Sequence, residues 1–178
     1  MNDFACSIRL SYKGSDCILK RLTSTEKLHT DRLIEKYASM MLRCAYAYCG
    51  NRADAEDIIQ EVFIKYMKHL PDFKDSNHER AWFLRVTINT SKDYVKSFWF
   101  RRTEAIDENI PYEYEEEKEI WDVVQKLPPK YRSIVQLFYQ EGYSVKEISK
   151  LLKLKESTAG TRLSRARALL KNICKEEL

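Results

Sequence analysis

The stretch Tyr143-Ser144-Val145-Lys146-Glu147-Ile148-Ser149-Lys150-Leu151-Leu152-Lys153-Leu154-Lys155-Glu156-Ser157-Thr158-Ala159-Gly160-Thr161-Arg162-Leu163-Ser164-Arg165-Ala166 decides the fold. Ser144 with Glu147 three residues on has the pattern of a capping box, which predicts a helix over Val145–Leu152. A short turn, 153–156, follows, and Ser157 is placed to cap a second helix. There Ala159, Leu163, Ala166, Leu170 and Ile173 recur at spacings of four and three, a seam for a core. Ser157, Thr158, Thr161, Ser164 and Arg165 point the other way, and Arg162 joins them as a candidate contact. Two helices joined so tightly read as a helix-turn-helix. Hydroxyls and arginines on the outer face of its second helix suit base edges and phosphates in a major groove. Residues 142–178 hold nine bases and four acids, enough to attract phosphate. A solvated helix pair with a basic face remains the plainer alternative. The caps and the division between seam and polar face favour DNA.

Composition points the same way. The chain has 178 residues with only 4 Gly and 4 Pro, too few turn-formers for an all-β sandwich or barrel. The expected fold is all-α: two small helical domains joined by an acidic linker, the C-terminal one a helix-turn-helix. The expected divisions are an N-terminal extension of unknown role at 1–25, where a short hairpin is possible, a helical domain at 26–102, the linker at 103–118 and a second helical domain at 119–178. The linker rests on eight acids against three bases between 101 and 120 and on the loss of apolar periodicity there. No apolar run is long enough to span a membrane, and the first residues lack a signal-peptide pattern, so the expected compartment is the cytoplasm. Five scattered cysteines without a C-x-x-C argue against a disulfide framework and for buried small hydrophobes. Three histidines offer little for a metal site. No cofactor is expected, and no paired carboxylates suggest an enzyme.

In the N-terminal half, Leu33, Ile34, Tyr37, Met41, Cys44, Ala45 and Tyr48 form a helical stripe that ends at Gly50-Asn51. Asp54 is a candidate cap for the next helix, whose core stripe runs from Ala55 to Leu70 and stops at Pro71. Its opposite face carries Asp57, Gln60, Glu61 and Ile64 at i, i+3, i+4 and i+7. Acidic and amidic with an apolar anchor, that face suits a basic protein surface rather than DNA. A third helix, predicted over about 80–98, reverses the charge. Arg85, Asn89, Lys92 and Lys96 share one face, Leu84, Ile88, Ser91 and Val95 the other. Residues 80–102 hold six bases and one acid, interleaved with Trp82, Phe83, Tyr94, Phe98, Trp99 and Phe100. Cations beside aromatic rings suit single-stranded nucleic acid. Phe83 and Tyr94 are assigned to packing, while Trp82 fits either role.

Three segments in order carry a family resemblance: Asn51-Arg52-Ala53-Asp54-Ala55-Glu56-Asp57-Ile58-Ile59-Gln60-Glu61-Val62-Phe63, then Ala81-Trp82-Phe83-Leu84-Arg85-Val86-Thr87-Ile88-Asn89, then Leu127-Pro128-Pro129-Lys130-Tyr131-Arg132 with the helix-turn-helix. They resemble the extracytoplasmic-function sigma factors of bacterial RNA polymerase over about residues 27–175. The resemblance implies a subunit that binds core RNA polymerase and directs transcription initiation at promoter DNA. It places Asp57, Gln60, Glu61 and Ile64 on polymerase. Arg80, Trp82, Arg85, Asn89, Lys92 and Lys96 would meet the melted minus-10 strand, and Ser157, Thr158, Thr161, Arg162, Ser164 and Arg165 the minus-35 duplex. It also implies an anti-sigma factor as partner. The chain departs from the family pattern at Lys153 and Gly160, where Gly and a base respectively are frequent, and at Ser149, where a small apolar residue is usual. A stand-alone helix-turn-helix regulator and a polymerase-binding co-regulator without initiation activity are the alternatives.

Overall fold

The structure, a computed structural model, describes residues 22–101 and 123–176, with backbone only for 98–101 and 176. The possible hairpin at the N-terminus and the acidic linker lie outside the described residues. Among the described residues no strand occurs, and the helices are α1 (Ser24–Cys49), α2 (Arg52–His69), α3 (Ser76–Arg101), α4 (Pro129–Val135), α5 (Val145–Leu152) and α6 (Glu156–Glu176). A π-helical turn, Gln136–Gln140, extends α4.

Local chemistry sets each boundary. Thr23 and Glu26 form a capping box that opens α1, and Gly50 closes it in the left-handed region at φ 80°. The cap of α2 is Asn51, not Asp54. The Asn51 side chain accepts from the Asp54 backbone N–H at 2.8 Å and donates to the Asp54 carboxylate at 2.7 Å. Asp54 thus sits three residues inside, where its charge favours the helix N-terminus. Helix α3 starts at Ser76, earlier than the apolar pattern indicates, because Asp75 accepts from the His78 N–H at 2.7 Å. Asp75→Ala should cost about 1 kcal/mol, the usual loss for such a cap. A chain of this size should then melt about 2–4 °C lower, as thermal circular dichroism would register.

The expected capping box at α5 is present. Ser144 and Glu147 exchange bonds, and α5 ends at Lys153 in the left-handed region at φ 56°. Lys153 therefore keeps the turn geometry without glycine, at a cost of about 1 kcal/mol. Helix α6 starts at Glu156, so Ser157 lies within it rather than capping it. The Ser149 hydroxyl, inside the core, is satisfied by the Lys146 carbonyl at 2.7 Å.

Helices α1, α2 and α3 close around Phe83, which is fully buried between Tyr37, Phe63, Tyr66 and Trp82 at ring distances of 5.0–5.6 Å. Of the expected α6 seam, Ala159, Leu163 and Ala166 are buried, with Ile148 of α5 and Leu137, while Leu170 and Ile173 are half-buried against the same core. The two helical units are not held apart. One continuous apolar cluster runs from Leu33 and Phe63 to Ile148 and Leu163, and α1 packs on α4 while α3 packs on α5. The buried-cysteine expectation holds for Cys44, whose thiol burial pushes up to about 12, and in part for Cys49, pushed to about 11. It fails for Cys174, which is exposed near the end of α6; Cys6 and Cys17 lie outside the described residues.

Candidate nucleic-acid and protein interfaces

The outer face of α6 forms a cleft of about 380 Å³ lined by Ser157, Thr158, Thr161, Arg162 and Arg165, with Lys130 and Tyr131 of α4 on its far wall. Five of the six residues assigned to duplex recognition therefore converge. Ser164 is exposed but does not line the cleft. Lys130 and Tyr131 were not singled out as contacts, since only the packing of α4 on α6 brings them there. Lys130 lies 5.0 Å from the Tyr131 ring centroid, which fixes a cation beside the hydroxyls. Three bases, three hydroxyl side chains and a phenol in one concavity can grip a phosphate and reach a base edge.

Gly160 sits on the inner shoulder of α6. An added Cβ there would meet Val145 at 3.9 Å, an ordinary contact. Gly160→Ala should stabilise the fold by about 0.5–1 kcal/mol, because glycine in a helix interior is that much worse than alanine. Urea unfolding read by circular dichroism should show a raised midpoint with an unchanged slope.

On α2, Asp57 and Glu61 are exposed and Gln60 is half-exposed. Glu61 pairs with Lys65 at 2.8 Å. Partial burial first, and then the neighbouring carboxylates of Asp54 and Glu56, raise Asp57 above its ordinary range. Ile64, expected to be exposed, is half-buried and packs on the core. The helix turns enough for its side chain to reach the apolar cluster, so only part of it is offered to a partner.

On α3, Arg85 and Lys96 are exposed, and Asn89 is half-exposed with no hydrogen-bond partner among the described residues. Trp82 is held in the aromatic cluster, edge-on to Tyr66 at 6.0 Å and to Phe73 at 5.8 Å, yet keeps some exposure. Tyr94 packs as expected, its hydroxyl donating to Asp54 at 2.6 Å. Arg80 and Lys92 are not free. Arg80 donates to the Glu141 carboxylate at 2.9 Å, and the Lys92 ammonium lies 3.5 Å from the Leu152 carbonyl. Burial first, then Arg162 and Lys153, lowers Lys92 below its ordinary range. The face is thus continuous in sequence but partly covered by the C-terminal half.

Family models match in the same two places: sigma-70 region 2 at residues 33–101 and sigma-70 region 4 at residues 117–170. The chain is 31% identical over 155 residues to the ECF RNA polymerase sigma factor SigE of Mycolicibacterium smegmatis, covering 80% of this chain but only 60% of that protein. It is 30% identical over 133 residues to RNA polymerase sigma factor SigZ of Bacillus subtilis, covering 70% of this chain and 74% of that one. A solved structure of the sigma factor RpoE from Bartonella quintana, in complex with the anti-sigma factor NepR, superposes with a TM-score of 0.68 at 16% identity. The match covers 81% of this chain and 95% of that one, and at that identity it speaks for the fold. With the helix-turn-helix, the acidic face of α2 and these matches in register, the chain belongs to the extracytoplasmic-function sigma factors of bacterial RNA polymerase.

Proposed function

We propose that the chain binds core RNA polymerase and directs it to a set of promoters, working by binding energy rather than catalysis. The observation that carries this reading is the cleft in which Lys130, Tyr131, Ser157, Thr158, Thr161, Arg162 and Arg165 converge. In this reading α6 enters the major groove of the minus-35 duplex. The α2 face holding Asp57, Gln60 and Glu61 docks on a basic polymerase surface. The α3 face around Asn89 takes the unpaired minus-10 strand, and capture of an extruded base offsets an unstacking cost of a few kcal/mol. An anti-sigma factor is the expected inhibitory partner. No described helix is long and apolar enough to cross a membrane, and the proposed site of action is the cytoplasm, with polymerase.

The test is selection from a random duplex library by the chain mixed with core polymerase. The mixture should enrich two sequence blocks separated by a fixed spacer, while neither component alone enriches both. Enrichment of both blocks by the isolated chain would instead favour a stand-alone regulator.

A further inference from the structure

The cleft between α4 and α6 holds more positive charge than its surroundings balance. Lys130, Arg162 and Arg165 line it, and no carboxylate does. None of these three cations has an ion-pair partner among the described residues. Arg162 also stands near a second group of cations. The Lys92 ammonium lies 3.5 Å from the carbonyl of Leu152, the residue before Lys153. Burial first, and then Arg162, Lys153 and Lys96, holds that ammonium below its ordinary range. Like charges gathered in this way disfavour one another, and an anion resting on Arg162 would relieve them. The neutral groups of the cleft suit an anion as well. Thr161 donates to the Ser157 carbonyl at 2.8 Å, but the hydroxyls of Ser157 and Thr158 have no hydrogen-bond partner among the described residues, which leaves two donors for ligand oxygens. At about 380 Å³ the cleft is as large as sites that enclose small molecules, roughly 300–1,000 Å³.

We infer that this cleft is a binding site for a short oligophosphate chain, free or carried by a nucleotide, held between Lys130 of α4 and Arg162 and Arg165 of α6, and that its occupant competes with the minus-35 duplex. A single phosphate or carboxylate would leave most of the cleft's charge unbalanced. Linked phosphates carry several charges and several acceptor oxygens, so one ligand can meet the lysine on one wall and both guanidinium forks on the other. The competition rests on the reading of α6 as the duplex surface; oligophosphate binding does not.

The test is isothermal titration calorimetry of the full chain at physiological salt, without magnesium, against inorganic tripolyphosphate and, separately, ATP. At least one should bind saturably with one ligand per chain. Arg162→Ala should weaken it about tenfold or more, the usual loss when a hydrogen bond to a charged group is removed. Should that half-buried position disturb the fold, Lys130→Ala, at an exposed one, takes its place with the same expectation. Lys171→Ala removes an equal charge from α6 at an exposed position outside the cleft, and should change affinity less than about twofold, because salt screens distant charges. Tighter ATP than tripolyphosphate assigns the site to a nucleotide, and the reverse to the inorganic chain. No saturable binding of either, or equal losses in Lys130→Ala and Lys171→Ala, overturns the site. For the competition, the complex of chain and core polymerase is bound to a labelled duplex of the selected two-block sequence, again without magnesium. The tighter ligand should displace the duplex, sodium sulfate at matched ionic strength should not, and Lys130→Ala should blunt the displacement. Saturable oligophosphate binding without displacement keeps the site and refutes α6 as the duplex surface.

Discussion

Reversing Glu61 to lysine should weaken binding of core polymerase by about 2 kcal/mol or more, a loss of thirtyfold or so in affinity. The size follows from what a reversed charge leaves behind, a desolvated cationic partner facing another cation in the interface. The structure makes the result interpretable, because Glu61 is exposed and its intramolecular partner is Lys65, one turn away on the same helix. Breaking such a surface pair costs the fold well under 1 kcal/mol, and the new Lys–Lys neighbours add only a few tenths. The variant should therefore melt close to the parent while losing core enzyme in a fluorescence titration. Adding Asp57→Lys should deepen the loss, since Asp57 lies one turn earlier on the same acidic face. Unchanged affinity in the double variant would remove this face from the docking surface.

The second large effect concerns sequence discrimination rather than affinity alone. Asn89 is the amide on an otherwise cationic face. It is half-exposed, with no hydrogen-bond partner among the described residues, so its donor and acceptor are both available to a base edge. Arg85 and Lys96, exposed on the same face, would grip phosphate without regard to sequence in the proposed reading. Asn89→Ala should cost about 1–3 kcal/mol at one preferred minus-10 base and little at the other three, flattening the preference. Lys96→Ala should weaken every sequence alike and lower the salt slope by about one. Open-complex formation measured on templates varied at each melted position separates the two. An equal loss on all bases in Asn89→Ala would assign the amide to phosphate contact.

Local signals carried most of the fold. Ser144 with Glu147, Gly50, and the Ala159–Leu163–Ala166 seam are each read from residues within a few positions of one another, and each is found as read. The misreadings were also local. Asn51 and Asp54 are both good cap residues three apart, and both take part in the α2 cap, so pattern alone could not rank them. The first turn of α3 is wholly polar, and Asp75 rather than an apolar period marks its start. The site was legible one helix at a time. What sequence could not supply were the contacts between helices: Lys130 and Tyr131 against α6, and Glu141 against Arg43 and Arg80 across 98 and 61 residues of chain. No periodicity connects positions that far apart. Arg80 and Lys92 therefore read as free cations when each is engaged by the other half of the molecule.

The most direct measurement is run-off transcription from a template carrying the selected two-block sequence, with core polymerase and the chain each added alone and then together. Transcripts of one defined length should appear only when both are present, and should fall sharply when the chain carries Asp57→Lys with Glu61→Lys. Specific transcripts from core polymerase alone, or a complex of chain and core that binds the template and yields no transcript, would contradict the assignment of promoter-directing activity to this chain.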